Sequence, residues 1–82
     1  MFPEQLMNRI DACAHRAFPH LTETIREDSA VGTLPGWDSL GHLTFMMEIE
    51  EEFGLRFTSA QIAQPKTIRD IAVLVLSNPA HE

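Results

Sequence analysis

The chain has 82 residues, with twelve acidic against six basic side chains, a formal net charge of −6 and a hydrophobic fraction of 44%. A body of this size buries only about 60% of its unfolded surface, so it holds one modest core and no second domain, and little fold is left over for an enzyme cleft. The acidity repels phosphate backbones and anionic membranes and favours proteins with basic patches, so neither nucleic acid nor membrane is an expected partner.

Met1 to Ala14 mixes Glu4, Asn8, Arg9 and Asp11 among its apolar residues, and no signal peptide or membrane span is read there. Cys13 is the one cysteine, which excludes an internal disulfide framework and fits a reduced, cytoplasmic setting. It falls where a small core residue belongs. From Pro3 to about Ala17, Leu6, Ile10, Ala14 and Ala17 recur at helical spacing, with Pro3 near the first turn and Glu4 at the positive helix end. This first helix stops near Phe18-Pro19, since the residue before proline is pushed out of helical conformation.

His20 to Asp38 reads as a long loop carrying Gly32, Pro35 and Gly36. Leu21, Ile25, Val31 and Leu34 are spaced to pin it to the core, and Thr22 to Glu27 is expected to form a turn or two of helix. Trp37 closes the loop, packed at the bundle end with its indole N–H on an acceptor. In the second helix Leu43, Met46, Ile49 and Phe53 share a face that Phe45 widens, and Gly54 supplies a C-terminal cap before Leu55.

Leu55 to Phe57 is a short extended connector, and Thr58 with Gln61 forms a capping box for a brief third helix around Ser59 to Ala63, ended by Pro65. Thr67 with Asp70 repeats the pattern, and Ile68, Ile71, Ala72 and Val75 form one face of a fourth helix running to about Ser77. Val73 to Leu76 also suits a strand by composition, but the cap and the lack of a second strand candidate favour helix. The expected core is Leu6, Ile10, Leu43, Met46, Ile49, Phe53, Ile62, Ile68, Ile71 and Val75.

Gly36-Trp37-Asp38-Ser39-Leu40 delivers a serine hydroxyl to the start of the second helix. By propensity alone an Asp-Ser pair before a helix is only a cap. Here Asp38-Ser39-Leu40 opens an amphipathic helix that continues to Glu50-Glu51-Glu52-Phe53, inside a small acidic chain with the same order of helices. In these features, over nearly its whole length, the chain resembles the acyl carrier protein family. The resemblance implies an all-α four-helix bundle, three main helices and a short third, forming a single acyl carrier domain over residues 1–82.

It implies further that a magnesium-dependent phosphopantetheinyl transferase attaches 4′-phosphopantetheine from coenzyme A to Ser39, with Asp38 and Leu40 completing the attachment site. The arm then carries an acyl group or other small acid as a thioester. Partners would be an acyl- or aminoacyl-loading ligase and acyltransferase or synthase enzymes, and the chain itself, a monomer, would catalyse nothing. Asp38, where peptidyl carriers usually have histidine, favours an acyl carrier, and Gly36 to Leu43 looks like stand-alone carriers of specialised pathways.

Met47, Glu48, Glu50 and Glu51, with Glu52, are the expected partner-binding face of the second helix, through steering of basic partners. The sequence departs from the family at Gly41 and Thr44, where many carriers have acidic residues, so the charge is thinner near the serine. His15, His20, His42 and His81 lack the spacing of a helical metal site, and no metal is expected. Ser39 is not in a Gly-x-Ser-x-Gly elbow, and Cys13 and His15, two apart on a helix, do not face each other as a catalytic pair would. The alternative is an unmodified acidic adaptor that binds a basic protein through the second helix. Ser39→Ala separates the two, at an expected capping cost of about 1 kcal/mol.

Overall fold

In a computed structural model, which describes residues 2–78, the chain forms four helices: α1 (Glu4–Ala17), α2 (Ser39–Phe53), α3 (Ser59–Ala63) and α4 (Ile68–Ser77). His81 lies outside the described residues. Among those described, extended pairing is limited to an isolated antiparallel bridge between Ala30 and Thr67, so the fold is all-α.

The helix ends follow the local chemistry. Pro3 is the N-cap of α1, and the helix stops as Phe18 leaves helical conformation ahead of Pro19. Gly54, in left-handed conformation at φ 66°, ends α2. Both capping boxes form, Thr58 with Gln61 at α3 and Thr67 with Asp70 at α4. Val73 to Leu76 is helical.

The core joins Leu6, Ile10, Cys13 and Ala14 of α1 to Phe45, Met46 and Ile49 of α2 and Ile68, Ile71, Ala72 and Val75 of α4, with Phe18, Leu21, Ile25, Leu34 and Trp37 sealing it from the loop side. Polar contacts staple α1 to α2 at the surface. Arg9 Nε donates to Glu52 Oε2 at 2.9 Å and Arg16 Nε to Glu48 Oε1 at 2.8 Å, while the Arg9 guanidinium also lies 4.3 Å from the centre of the Phe53 ring.

Three sequence expectations are corrected. Leu43 is exposed rather than in the core, and Phe53 and Ile62 are only half-buried. The cause is the rotation of α2: the bulkier Phe45 takes the place beneath Trp37 and Phe18, and Met46 and Ile49 turn inward with it. Thr22 to Glu27 is not helical, because side chains satisfy its backbone instead. The N–H of Ile25 donates to Asp11 Oδ1 at 2.9 Å and that of Arg26 to Ser29 Oγ at 2.9 Å. Val31 is exposed; its backbone makes the attachment, its N–H donating to the Lys66 carbonyl at 2.9 Å.

The loop thus reaches α4 through main-chain bonds. Ile68 N–H donates to the Ser29 carbonyl and Arg69 N–H to the Glu27 carbonyl, both at 2.9 Å. A helix leaves its first N–H groups without internal partners, and here the crossing segment supplies them.

Candidate functional site

Leu34-Pro35-Gly36-Trp37 makes the turn that aims the chain into α2. Trp37 N–H donates to the Leu34 carbonyl at 3.1 Å, and Gly36 takes φ 89°, the pairing of Pro and positive-φ Gly that a type II turn requires. The Trp37 side chain, 1% exposed, drops into the end of the bundle. Its ring stacks on Phe18, centroids 5.9 Å apart, and meets the Phe45 edge at 5.2 Å.

The indole N–H donates to His42 Nδ1 at 2.9 Å. Because an indole nitrogen only donates, Nδ1 accepts and the imidazole proton sits on Nε2, which donates to the Ile62 carbonyl at 2.7 Å. His42 thereby joins the turn, α2 and the end of α3.

From this anchored tryptophan the backbone extends through Asp38, whose side chain caps α2 by accepting from Gly41 N–H at 2.8 Å. Gly41 has no room for a side chain: a Cβ there would overlap the Gly36 carbonyl oxygen and lie 3.2 Å from Phe18 Cε1. The turn is folded directly against the first turn of the helix. This explains on packing grounds why no acidic residue stands at Gly41.

Ser39 is the first residue of α2 and is exposed. Among the described residues its hydroxyl has no hydrogen-bond partner, and the N–H groups of Ser39 and Leu40 find no acceptor. Asp38 rather than Ser39 is the cap, so Ser39→Ala removes no capping bond and the expected cost of about 1 kcal/mol is corrected to near zero. A phosphodiester fits here. The hydroxyl is accessible, and two free N–H groups and the positive helix end favour an anion.

The structure brings Asp38, Ser39 and Leu40 together at this point. Leu40, 75% exposed, starts an outward apolar stripe continued by Leu43 at 45% and Met47 at 58%. The sequence reading missed this stripe by placing Leu43 inside. The signal was present in the i, i+3, i+7 spacing of Leu40, Leu43 and Met47.

The acidic face is less free than expected. Glu48 is paired with Arg16, Glu50 Oε2 accepts from Phe57 N–H at 2.8 Å, and Glu52 takes both Arg9 and Arg16. The hydrogen bond from Arg9 leads in holding the Glu52 carboxyl below the usual carboxylate range. Glu51 is exposed and makes no hydrogen bond or ion pair among the described residues. Beneath these pairs burial pushes the Cys13 thiol up to about 11, and Cys13 Sγ lies 3.6 Å from the Glu48 carbonyl oxygen. No group of three or more potential metal ligands occurs among the described residues.

Residues 36–75, which run from the Gly36 turn through Ser39 and on into α4, match the family described as a phosphopantetheine attachment site. Members of that family bind 4′-phosphopantetheine covalently on a serine. Such carrier domains generally lack catalytic activity and work with transferases and synthases. No curated protein matches the chain. Among the described residues no helix is long and apolar enough to cross a membrane.

Proposed function

We propose that Ser39 is the attachment residue and that residues 1–82 act as a single, monomeric acyl carrier domain. Two serines of the matched segment, Ser39 and Ser59, each open a helix. Ser39 carries the reading because it stands on the long α2, in Asp38-Ser39-Leu40, on a turn fixed by the buried Trp37; Ser59 opens a helix of only five residues. A full helix presents a larger dipole to an incoming phosphate than a single turn does.

In the modification the Ser39 hydroxyl attacks the β-phosphate of coenzyme A. The new Oγ–phosphorus bond replaces the bond to adenosine 3′,5′-bisphosphate, which leaves, while the transferase takes the serine proton. When bound, the group supplies a terminal thiol that holds an acyl group as a thioester. The chain's own residues present the hydroxyl, cap the helix and offer a docking surface. A requirement for α1 in the domain is supported by the core, since Leu6, Ile10, Cys13 and Ala14 lie outside the matched segment yet are buried.

The finer partners are a phosphopantetheinyl transferase, a ligase that loads an acyl or aminoacyl group, and acyltransferases or synthases that receive it. Their docking face is the outer side of α2, with Leu40, Leu43 and Met47 as apolar contacts and Glu51 as the free charge. The chain itself catalyses nothing and works in the cytoplasm.

Incubation with coenzyme A, magnesium and a broad-specificity transferase tests this by intact mass and fragment mapping. The expected result is one phosphopantetheine increment on Ser39, lost in Ser39→Ala and kept in Ser59→Ala. A folded protein that takes no increment, or takes it on Ser59, overturns the assignment.

A further inference from the structure

We infer that the acyl cargo of this carrier stays outside the helix bundle, so that the chain suits short or polar acids and does not store a long aliphatic chain in its core. The inference rests on the carrier reading above and concerns what lies beneath Ser39. An aliphatic chain on the arm leaves water only by passing between side chains of the bundle, and the region nearest the attachment point is filled. Trp37, Phe18 and Phe45 are at most 1% exposed and touch pairwise, with Phe18 and Phe45 centroids 5.2 Å apart.

The seam between α2 and α3 is closed by His42. Both of its ring nitrogens are engaged, one by the Trp37 indole and the other by the Ile62 carbonyl. Opening the seam leaves a half-buried donor and acceptor to be satisfied elsewhere. Deeper in the bundle Met46, Ile49, Ile68 and Ile71 are fully buried. Interiors are packed at crystal-like density, so each added methylene displaces a side chain.

Two hollows among the described residues lie elsewhere. One of about 450 Å³ is lined by Glu23, Arg26, Asp28 and Ser29 among others, and one of about 390 Å³ by Gln61, Arg69, Asp70, Val73 and Leu74 among others. Neither is lined by a residue of α2, and both are edged with charge. Next to Ser39 the accessible apolar side chains, Leu40, Leu43 and Met47, are on the outer face of the helix.

The test loads the full chain with acetyl-, hexanoyl- and dodecanoyl-phosphopantetheine, transferred whole from the corresponding acyl-coenzyme A. Three readouts follow: the thermal midpoint, the emission of Trp37, which is the only tryptophan, and the rate of thioester cleavage by hydroxylamine. A chain held in the core acts as a ligand of the folded state, so about tenfold protection of the thioester comes with a raised midpoint that grows with chain length.

The inference expects a midpoint independent of chain length, unchanged Trp37 emission and cleavage within about twofold of free acyl-pantetheine, since an outside cargo is not such a ligand. Acylated protein in which dodecanoyl is protected or raises the midpoint while acetyl does neither overturns this inference alone. A folded chain that takes no acyl mass overturns the carrier reading and this inference with it.

Discussion

At the start of α4 the chain answers its own donors: Ile68 N–H is taken by the Ser29 carbonyl, Arg69 N–H by that of Glu27, and Asp70 N–H by Thr67 Oγ1 at 3.1 Å. At the start of α2 only Gly41 N–H is taken, by Asp38, and the N–H groups of Ser39 and Leu40 find no acceptor among the described residues. Both helices are capped and both begin after a turn, but one start is sewn to the crossing loop and the other is held out to solvent on a rigid support. The first makes structure. The second leaves its donors for something brought from outside, beside an exposed hydroxyl.

The comparison is most sharply broken at Gly41. In Gly41→Ala the new methyl group meets a backbone carbonyl that has no rotamer to escape into. We expect a cost of about 3 kcal/mol, read as a fall of more than about 10 °C in the thermal midpoint. Modification of Ser39 should slow as well, because the supporting turn is forced away from the helix.

Next come the two caps. Thr67→Ala removes the acceptor for Asp70 N–H at the sewn end and should cost about 1–2 kcal/mol by urea denaturation. Asp38→Ala, at an end that water already reaches, should cost only about 0.5–1 kcal/mol. Asp38→Asn keeps the acceptor while removing the charge. Unchanged stability with slower modification would show that the carboxylate serves the transferase as well as the helix; equal modification rates would confine it to capping.

The last effect, which vanishes at neutral pH, is an alkaline pH slope from the joint between α1 and α2. Burial raises the Cys13 thiol from 9.0 to about 11 in the folded chain. Between those values the unfolded chain releases a proton that the folded chain retains, so stability is intact below pH 9 and declines as pH rises toward 11. A Cys13→Ala variant, compared by urea denaturation across that window, should show the shallower slope.

Much of this was legible in the sequence because it is local. Thr58-x-x-Gln61, Thr67-x-x-Asp70, Gly54 and Phe18-Pro19 each act on the nearest few backbone groups, and each helix end follows them. The position of Ser39 at the head of α2 was legible for the same reason. What escaped depended on side chains distant in sequence competing for one space. The facing of α2 turns on Phe45 meeting Phe18 and Trp37, and no spacing within α2 distinguishes that from a stripe centred on Leu43.

The expected acidic face erred in a similar way. Glu48, Glu50 and Glu52 are acidic and helical, as read, but Arg9, Arg16 and the Phe57 N–H, brought alongside by the fold, already occupy them. The loop segment Thr22 to Glu27 failed through Asp11, whose carboxylate takes a backbone donor from fourteen residues on.

Burial of Cys13 also bears on where a thioester can travel. An acyl group on a flexible arm is open to capture by any neighbouring thiolate, through transfer from one sulfur to another, and a surface cysteine on the carrier would strand the cargo on the protein. With its thiol pushed up to about 11, Cys13 is ionised at pH 7 to roughly one part in ten thousand, and it lies behind the Arg16–Glu48 pair. On the carrier reading proposed above, the chain's own sulfur is thereby kept out of the exchange, and the acyl group stays on the sulfur at the end of the arm.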